Sequence, residues 1–132
     1  MLTDYLERLR ATRENPAHVP GLDPSDGGEN ARILMLLEAP GPKAIATGYV
    51  SRRNPDPTAR NLTALLAESG IVDEDLLLWN VVPWHVGDGR RIRPVNTADI
   101  REARPWIEEL ATLLPRLDTV VLVGRQAQRA TE

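Results

Sequence analysis

Three short apolar runs constrain this chain more than anything else in it: Arg32 to Leu37, Asp75 to Val82 with its LLLWNVV core, and Thr119 to Val123, TVVLV. Bounded as they are, they are too short for core helices. They also lack the polar–apolar alternation of a half-solvated strand, so each reads as a strand buried on both faces, as in a parallel sheet. Helical patterns separate them. Leu2, Tyr5, Leu6 and Leu9 form a stripe that Thr3 or Asp4 can cap. Thr58 to Ser69 turns Leu62, Leu65 and Leu66 inward and stops at Gly70. A longer helix opens at Thr97 or Asp99 and runs to about Leu114, with Ile100, Trp106, Ile107, Leu110 and Leu113 facing in. Pro105 inside it predicts a kink or a restart. Gly124 turns into a last helix reaching Glu132. Asn15 to Asn30, Glu38 to Pro57 and Pro83 to Val95 read as loops. The order predicts an α/β fold, a three-layer αβα arrangement on a short parallel sheet with right-handed crossovers. Ligands in such sheets bind beyond the carboxyl ends of the strands.

The 132 residues predict one domain, residues 1–132. A hydrophobic share of 42% and a charged share of 27% are those of a soluble globular chain. With no run long enough to span a membrane and an amphipathic, charged N-terminus, the expected location is cytoplasmic, with no membrane partner. No cysteine is present and only His18 and His85 could offer imidazoles, so neither a metal site nor a cofactor is expected. The net charge of −3 argues weakly against nucleic acid, but distribution matters more than the sum. Lys43 is the lone lysine, and the arginines gather as Arg52, Arg53 and Arg60 in one group and Arg90, Arg91 and Arg93 in another.

Two loops leaving strand ends are unusual. In LLEAPGP the carboxylate of Glu38 stands at the end of a buried strand, where burial or loop N–H groups would shift its pKa. Pro40 and Pro42 fix φ, and Gly41 lets backbone approach a ligand closely. Taken alone, Glu38 is as readily a cap for a local N–H. In LLLWNVVPWH, a buried Asn80 must satisfy one acceptor and two donors. It can do so within its own loop or against a base edge carrying both a carbonyl and an N–H, such as uracil. Trp84 suits packing; His85 suits a phosphate contact or an acid role, or simply a loop. Tyr49, in TGYVSRRNPDP, can stack on a planar base or belong to the core. Arg52, Arg53 and Arg60 can hold phosphates, aided by the helix start near Thr58, or lie solvated.

In this order and spacing the motifs resemble the uracil-DNA glycosylase superfamily over roughly Ile33 to Ala130. LLEAPGP is similar to its first signature loop in the G-E-A-P-G form. TGYV matches the segment of the base-stacking aromatic, LLLWNVVPW the strand end whose Asn recognises a flipped uracil, and VVLVGRQAQRA the following strand–Gly–helix element. The resemblance implies a DNA repair enzyme of base excision, a hydrolase that flips uracil, or a related deaminated base, out of DNA and breaks its N-glycosidic bond. Asn80 would read the base and Tyr49 would stack on it. Backbone at Ala39, Pro40 and Gly41 would meet a base carbonyl, and Glu38 would hold or polarise the water. Arg52, Arg53, Arg60, Arg90, Arg91 and His85 would contact DNA. The chain departs from the family pattern in four ways. Leu37 stands where Gly is usual, and Ala39 where the best-known branch keeps a water-activating Asp. No cysteines are present for the iron–sulfur cluster of some branches, and the C-terminal His-Pro-Ser motif is missing. The expectation is therefore a cysteine-free, C-terminally shortened domain, lacking its last strand and helix, with an exposed sheet edge open to self-association. A catalytically inactive DNA- or base-binding module of the same fold is the alternative. A generic nucleotide-binding domain ranks last, since neither G-x-G-x-x-G nor G-x-x-x-x-G-K-[ST] occurs.

Overall fold

The computed structural model describes residues 1–87 and 93–128, with only the backbone of Arg125 and Gln126. In chain order the elements are α1 (Leu2–Ala11), β1 (Gly21–Leu22), β2 (Ile33–Leu37), α2 (Pro42–Thr47), β3 (Tyr49–Val50), α3 (Pro57–Ser69), β4 (Leu76–Asn80), α4 (Thr97–Thr112), β5 (Thr119–Leu122) and α5 (Arg125–Gln128). The three apolar runs form one parallel sheet in the order β4-β2-β5. Its register pairs Ile33 with Leu76 and Leu37 with Asn80 on one side, and Ile33 with Thr119 on the other. The chain moves outward from β2 to β4 and then back across β2 to β5. Right-handed crossovers in opposite directions place α3 and α4 on opposite faces, which is the three-layer arrangement.

Residues paired in a parallel ladder point to the same face. Met35, Leu37, Leu78 and Asn80 therefore share one face, and Leu34, Leu36, Leu77 and Trp79 the other. The second face is sealed by α1 and α4. Tyr5 is fully buried, and its hydroxyl donates to the Trp106 carbonyl at 2.9 Å while its side chain meets Trp79. Burial of that phenol raises its pKa well above the ordinary value. Ion pairs of Arg8 with Glu109 and of Arg13 with Glu102 clamp α1 to α4 at the surface.

The structure corrects several expectations. Met1, not Thr3 or Asp4, occupies the N-cap of α1, and no side chain caps it. Asn15–Asn30 contains β1, and Glu38–Pro57 contains α2 and β3; β1 and β3 pair in parallel as a small second ladder. Neither two-residue strand carries a periodic signal. Leu65 is 60% exposed, because α3 presents only the Leu62–Leu66 line, with Ala59, to the core. The end of α3 falls as expected at Gly70, in the left-handed conformation at φ 76°. Helix α4 runs on through Pro105, which lies on the solvent side, where the carbonyl left without its N–H partner can meet water. Asn96 opens that helix by a capping box with Asp99. Strand β5 is an edge strand with Val120 half-exposed, not a strand buried on both faces.

The outer edge of β4 is covered instead of open. The Gly27 N–H donates to the Leu76 carbonyl at 2.8 Å, and the Leu78 N–H donates to Asp26 Oδ2 at 3.2 Å. Gly27 is required there by contact, not by φ: a Cβ would sit 2.1 Å from the Glu74 carbonyl oxygen.

Candidate functional site

Beyond the carboxyl ends of β2 and β4 lies a cavity of about 480 Å³, within the range that holds a small planar ligand. Its first wall is the strand end itself. Leu37, Leu78 and Asn80 share the α3-facing side of the sheet, and Glu38–Lys43 continues from β2 around the rim. The ladder does not stop with the strand: Val81 N–H donates to the Leu37 carbonyl at 2.8 Å and Val82 N–H to the Glu38 carbonyl at 3.0 Å. The acid is thus held by main chain on the cavity's edge. Pro40 and Pro42 have no N–H, so Ala39 and Gly41 carry the donors in that loop.

Asn80 is the chemical centre of this wall. It is 1% exposed, it lines the cavity, and its buried Nδ2 has no hydrogen-bond partner among the described residues. A buried, unpaired amide donor costs about 1–3 kcal/mol, so its retention at the mouth of a cavity points to a ligand that pairs with it. Glu38 is exposed, and its Oε1 accepts from the Val95 N–H at 3.3 Å. This ties the acid to the segment leading into α4. In that segment Arg93 grips Asp99 through both terminal guanidinium nitrogens at 2.6 and 2.8 Å, and these hydrogen bonds are the leading cause holding the Asp99 carboxyl below its ordinary pKa, against the opposing effect of burial.

The second wall runs through Ser51, Asn54, Asp56, Thr58, Ala59 and Leu62. Sequence reasoning missed Ser51, Asn54 and Asp56 as site residues. Asn54, 8% exposed, accepts from Thr47 Oγ1 at 2.9 Å and donates to the Tyr49 carbonyl at 2.9 Å. Asp56 caps α3 by accepting from the Ala59 N–H at 2.7 Å. The stretch Asn54-Pro55-Asp56-Pro57 carried a signal for this: a cap residue followed by Pro at the first helical position.

The expected site residues separate into groups. Glu38, Ala39, Pro40, Gly41 and Asn80 all line the cavity. Tyr49 does not; the residue is 46% exposed on β3, attached to the lining through the bond from Asn54 to its carbonyl. Arg52 and Arg53 are engaged by acids. Arg53 bonds Asp23 at 3.0 Å and Asp73 at 2.8 Å, and Arg52 pairs with Asp73. Arg60 is exposed on α3 and forms no ion pair among the described residues. Arg90 and Arg91 lie outside the described residues. His85 lies at a separate hollow, its ring centroid 5.1 Å from that of His18, and its main-chain N–H donates to the His18 carbonyl at 2.9 Å. No group of three metal-ligating side chains occurs among the described residues.

The geometry places a rigid, proline-stiffened loop and an unpaired buried amide together at strand ends, in an ordered set of motifs. The family model of the uracil DNA glycosylase superfamily matches residues 24–132. The chain belongs to that superfamily. Membership carries a glycosylase-like function and DNA as the class of substrate, and the parallel three-layer fold agrees with it. No curated protein sequence matches the chain. Among the described residues no helix is long and apolar enough to cross a membrane.

Proposed function

We propose that residues 1–132 act as a single domain that releases uracil, or a closely related deaminated base, from DNA, with the Asn80 cavity as the base pocket. The observation that carries this reading is the Asn80 amide: 1% exposed, lining the cavity, with Nδ2 unpaired. Its N–H donates to a base carbonyl while its Oδ1 accepts the adjacent ring N–H. Uracil offers that pair on one edge. Cytosine offers an amine and a bare ring nitrogen there, and leaves two groups mismatched. Flipping a base into the pocket costs a few kcal/mol of stacking and pairing, which the enclosed contacts offset.

As the glycosidic bond lengthens, negative charge gathers on the leaving base and positive charge on the sugar. The N–H groups of Ala39 and Gly41 answer the first, at a loop that needs no rearrangement to do so. Glu38 answers the second: its carboxylate on the rim stabilises the cationic sugar and accepts a proton from the attacking water. Tyr49 supplies an exposed aromatic face beside the lining, against which the flipped base or its neighbour stacks. Arg60, exposed and without an ion pair among the described residues, supplies a phosphate contact, whereas Arg52 and Arg53 act on DNA only by leaving their acids.

The test is base release from a uracil-containing oligonucleotide, read after alkaline cleavage of the abasic product. Wild type is expected to cleave, and Asn80→Ala to lose about 10²-fold or more. Equal cleavage by wild type and Asn80→Ala would remove the reading. Binding of uracil-DNA without cleavage by wild type, lost in Asn80→Ala, would leave the pocket and convert the enzyme into a base-binding module.

A further inference from the structure

The chain carries fifteen arginines but a single lysine, Lys43, and that lysine lines the base cavity. It stands at the second position of α2, directly after the Ala39–Pro42 loop, and is exposed to solvent. No carboxylate pairs with it among the described residues, although Glu38 and Asp56 line the same cavity. An arginine would serve better for a phosphate contact, being a planar, permanently charged fork. A primary amine differs in one respect that matters here: when neutral it is a nucleophile towards carbonyl carbon. Base release creates such a carbon. The abasic sugar opens to an aldehyde at C1′, the atom that had carried the base and so lies at the mouth of the cavity.

We propose that Lys43 captures this aldehyde and gives the chain an abasic-site lyase activity after base release, an inference that rests on the pocket assignment above. The neutral Nζ adds to C1′, one proton passes from nitrogen to the oxygen, a second comes to that oxygen from solvent, and water leaves, giving a protonated imine; the solvent proton is returned when the imine is hydrolysed. The imine acidifies the C2′ hydrogen. Solvent water takes that proton, the C2′–H electron pair forms the C2′=C3′ bond, and the C3′–O bond breaks, releasing the 3′-phosphate with its electron pair. Water then hydrolyses the imine and returns the amine. No oxidant, metal or cofactor enters the balance. Lysine carries its amine on a flexible four-carbon stem, here rooted in the cavity lining.

The experiment uses the whole chain with two oligonucleotides, one carrying uracil and one carrying a preformed abasic site, each with sodium borohydride to reduce the imine to a stable amine. Wild type is expected to give a covalent adduct with the preformed abasic site that resists denaturing electrophoresis. Peptide mapping is expected to place it on Lys43. Lys43→Arg is expected to lower the adduct at least tenfold. An adduct that maps to the Met1 amine, or one undiminished in Lys43→Arg, overturns the proposal. The mapping is read on wild type and so does not depend on how the variant folds. The two oligonucleotides separate the two claims. Uracil release without an adduct removes the lyase and leaves the glycosylase. An adduct on Lys43 without uracil release keeps the lyase and removes the uracil reading. Neither signal removes both.

Discussion

The wall of the cavity formed by Leu37–Pro42, Leu78 and Asn80 is held by main-chain ladder bonds and apolar burial, whereas the opposite wall, Ser51 to Ala59, is held by carboxylates. Asp23, 7% exposed, accepts from the Ser25 N–H at 2.9 Å, from the Ser51 hydroxyl at 2.6 Å and from Arg53 at 3.0 Å. Asp73 takes the far side of Arg53 and also Arg52. Asp26, three residues after Asp23, reaches instead to the Leu78 N–H and covers the sheet edge. The first wall therefore inherits the stability of the sheet, and among its bonds only the one from the Leu78 N–H to Asp26 involves a carboxylate of the sheet edge. The second responds to pH and salt. The proposed base pocket thus has one fixed wall and one tethered wall; the tether is the pair of arginines that sequence reading assigns to DNA.

Mutations that strike each wall in turn sharpen or break this contrast. The largest expected effect is on the sheet: Leu34→Ala, at a position 1% exposed, should destabilise by about 2–5 kcal/mol in denaturant unfolding. Loss of under 1 kcal/mol would mean the sheet core is not the rigid member. Next comes Gly27→Ala, which drives a Cβ into the Glu74 backbone and should cost about 1–3 kcal/mol. Since it loosens the cover of β4 from the second-wall side, a normal melting temperature in this variant would show that the edge contact is dispensable.

Asp23→Ala should cost about 1–3 kcal/mol by stripping Ser51 and Arg53 of their shared acceptor. Its sharper readout is functional. Base release should weaken through KM more than through kcat, as the Ser51–Asn54 wall loosens, and the variant should bind DNA with a steeper salt dependence as Arg53 is freed. An unchanged KM and salt slope would detach the network from the site.

The two neighbouring aspartates should also titrate in opposite senses. Burial raises the Asp23 pKa, but the bonds from Ser51 and Ser25 and the charge of Arg53 outweigh it and leave the carboxyl below its ordinary value. A depressed acid adds stability above the ordinary carboxylate range, and that stability is lost as pH falls through the folded value. Asp26 is pushed up to about 6 by burial, with the Leu78 N–H opposing and Asp23 adding to the rise, and its Oδ1 is buried without a partner. The folded chain keeps that proton where the unfolded chain has lost it, so stability falls as pH rises from about 4 to about 6. Asp26→Asn should therefore raise the melting temperature at pH 7 and change it little at pH 4. A larger gain at pH 4 than at pH 7 would reverse the assignment.

The smallest expected effect on stability is at the most important residue. Asn80→Ala removes an amide whose donor is already unpaired, and should shift stability by no more than about 1 kcal/mol while abolishing base release. A large loss of stability would show that the amide serves the fold, not a ligand.

Much of this was legible in the sequence. The runs ILMLL and LLLWN announced a parallel sheet because burial on both faces leaves no room for polar alternation, and that sheet in turn placed Glu38 and Asn80 at the same end; TVVL marked its strand too, though not its exposed position. Local chemistry also marked Gly70 as a stop and Pro40-Gly41-Pro42 as a stiff loop. Tertiary structure alone decided three things. The strand order β4-β2-β5 made β5 an edge strand, because order depends on crossover direction and not on any strand's composition. The ion pairs of Arg52 and Arg53 with Asp23 and Asp73 join residues about 20 to 30 positions apart, a distance over which charge spacing in the chain says nothing about contact. The unpaired state of Asn80 Nδ2 is likewise invisible in LLLWNVV. Whether a buried amide is satisfied depends on which atoms the rest of the fold brings to it, and here the fold brings a cavity.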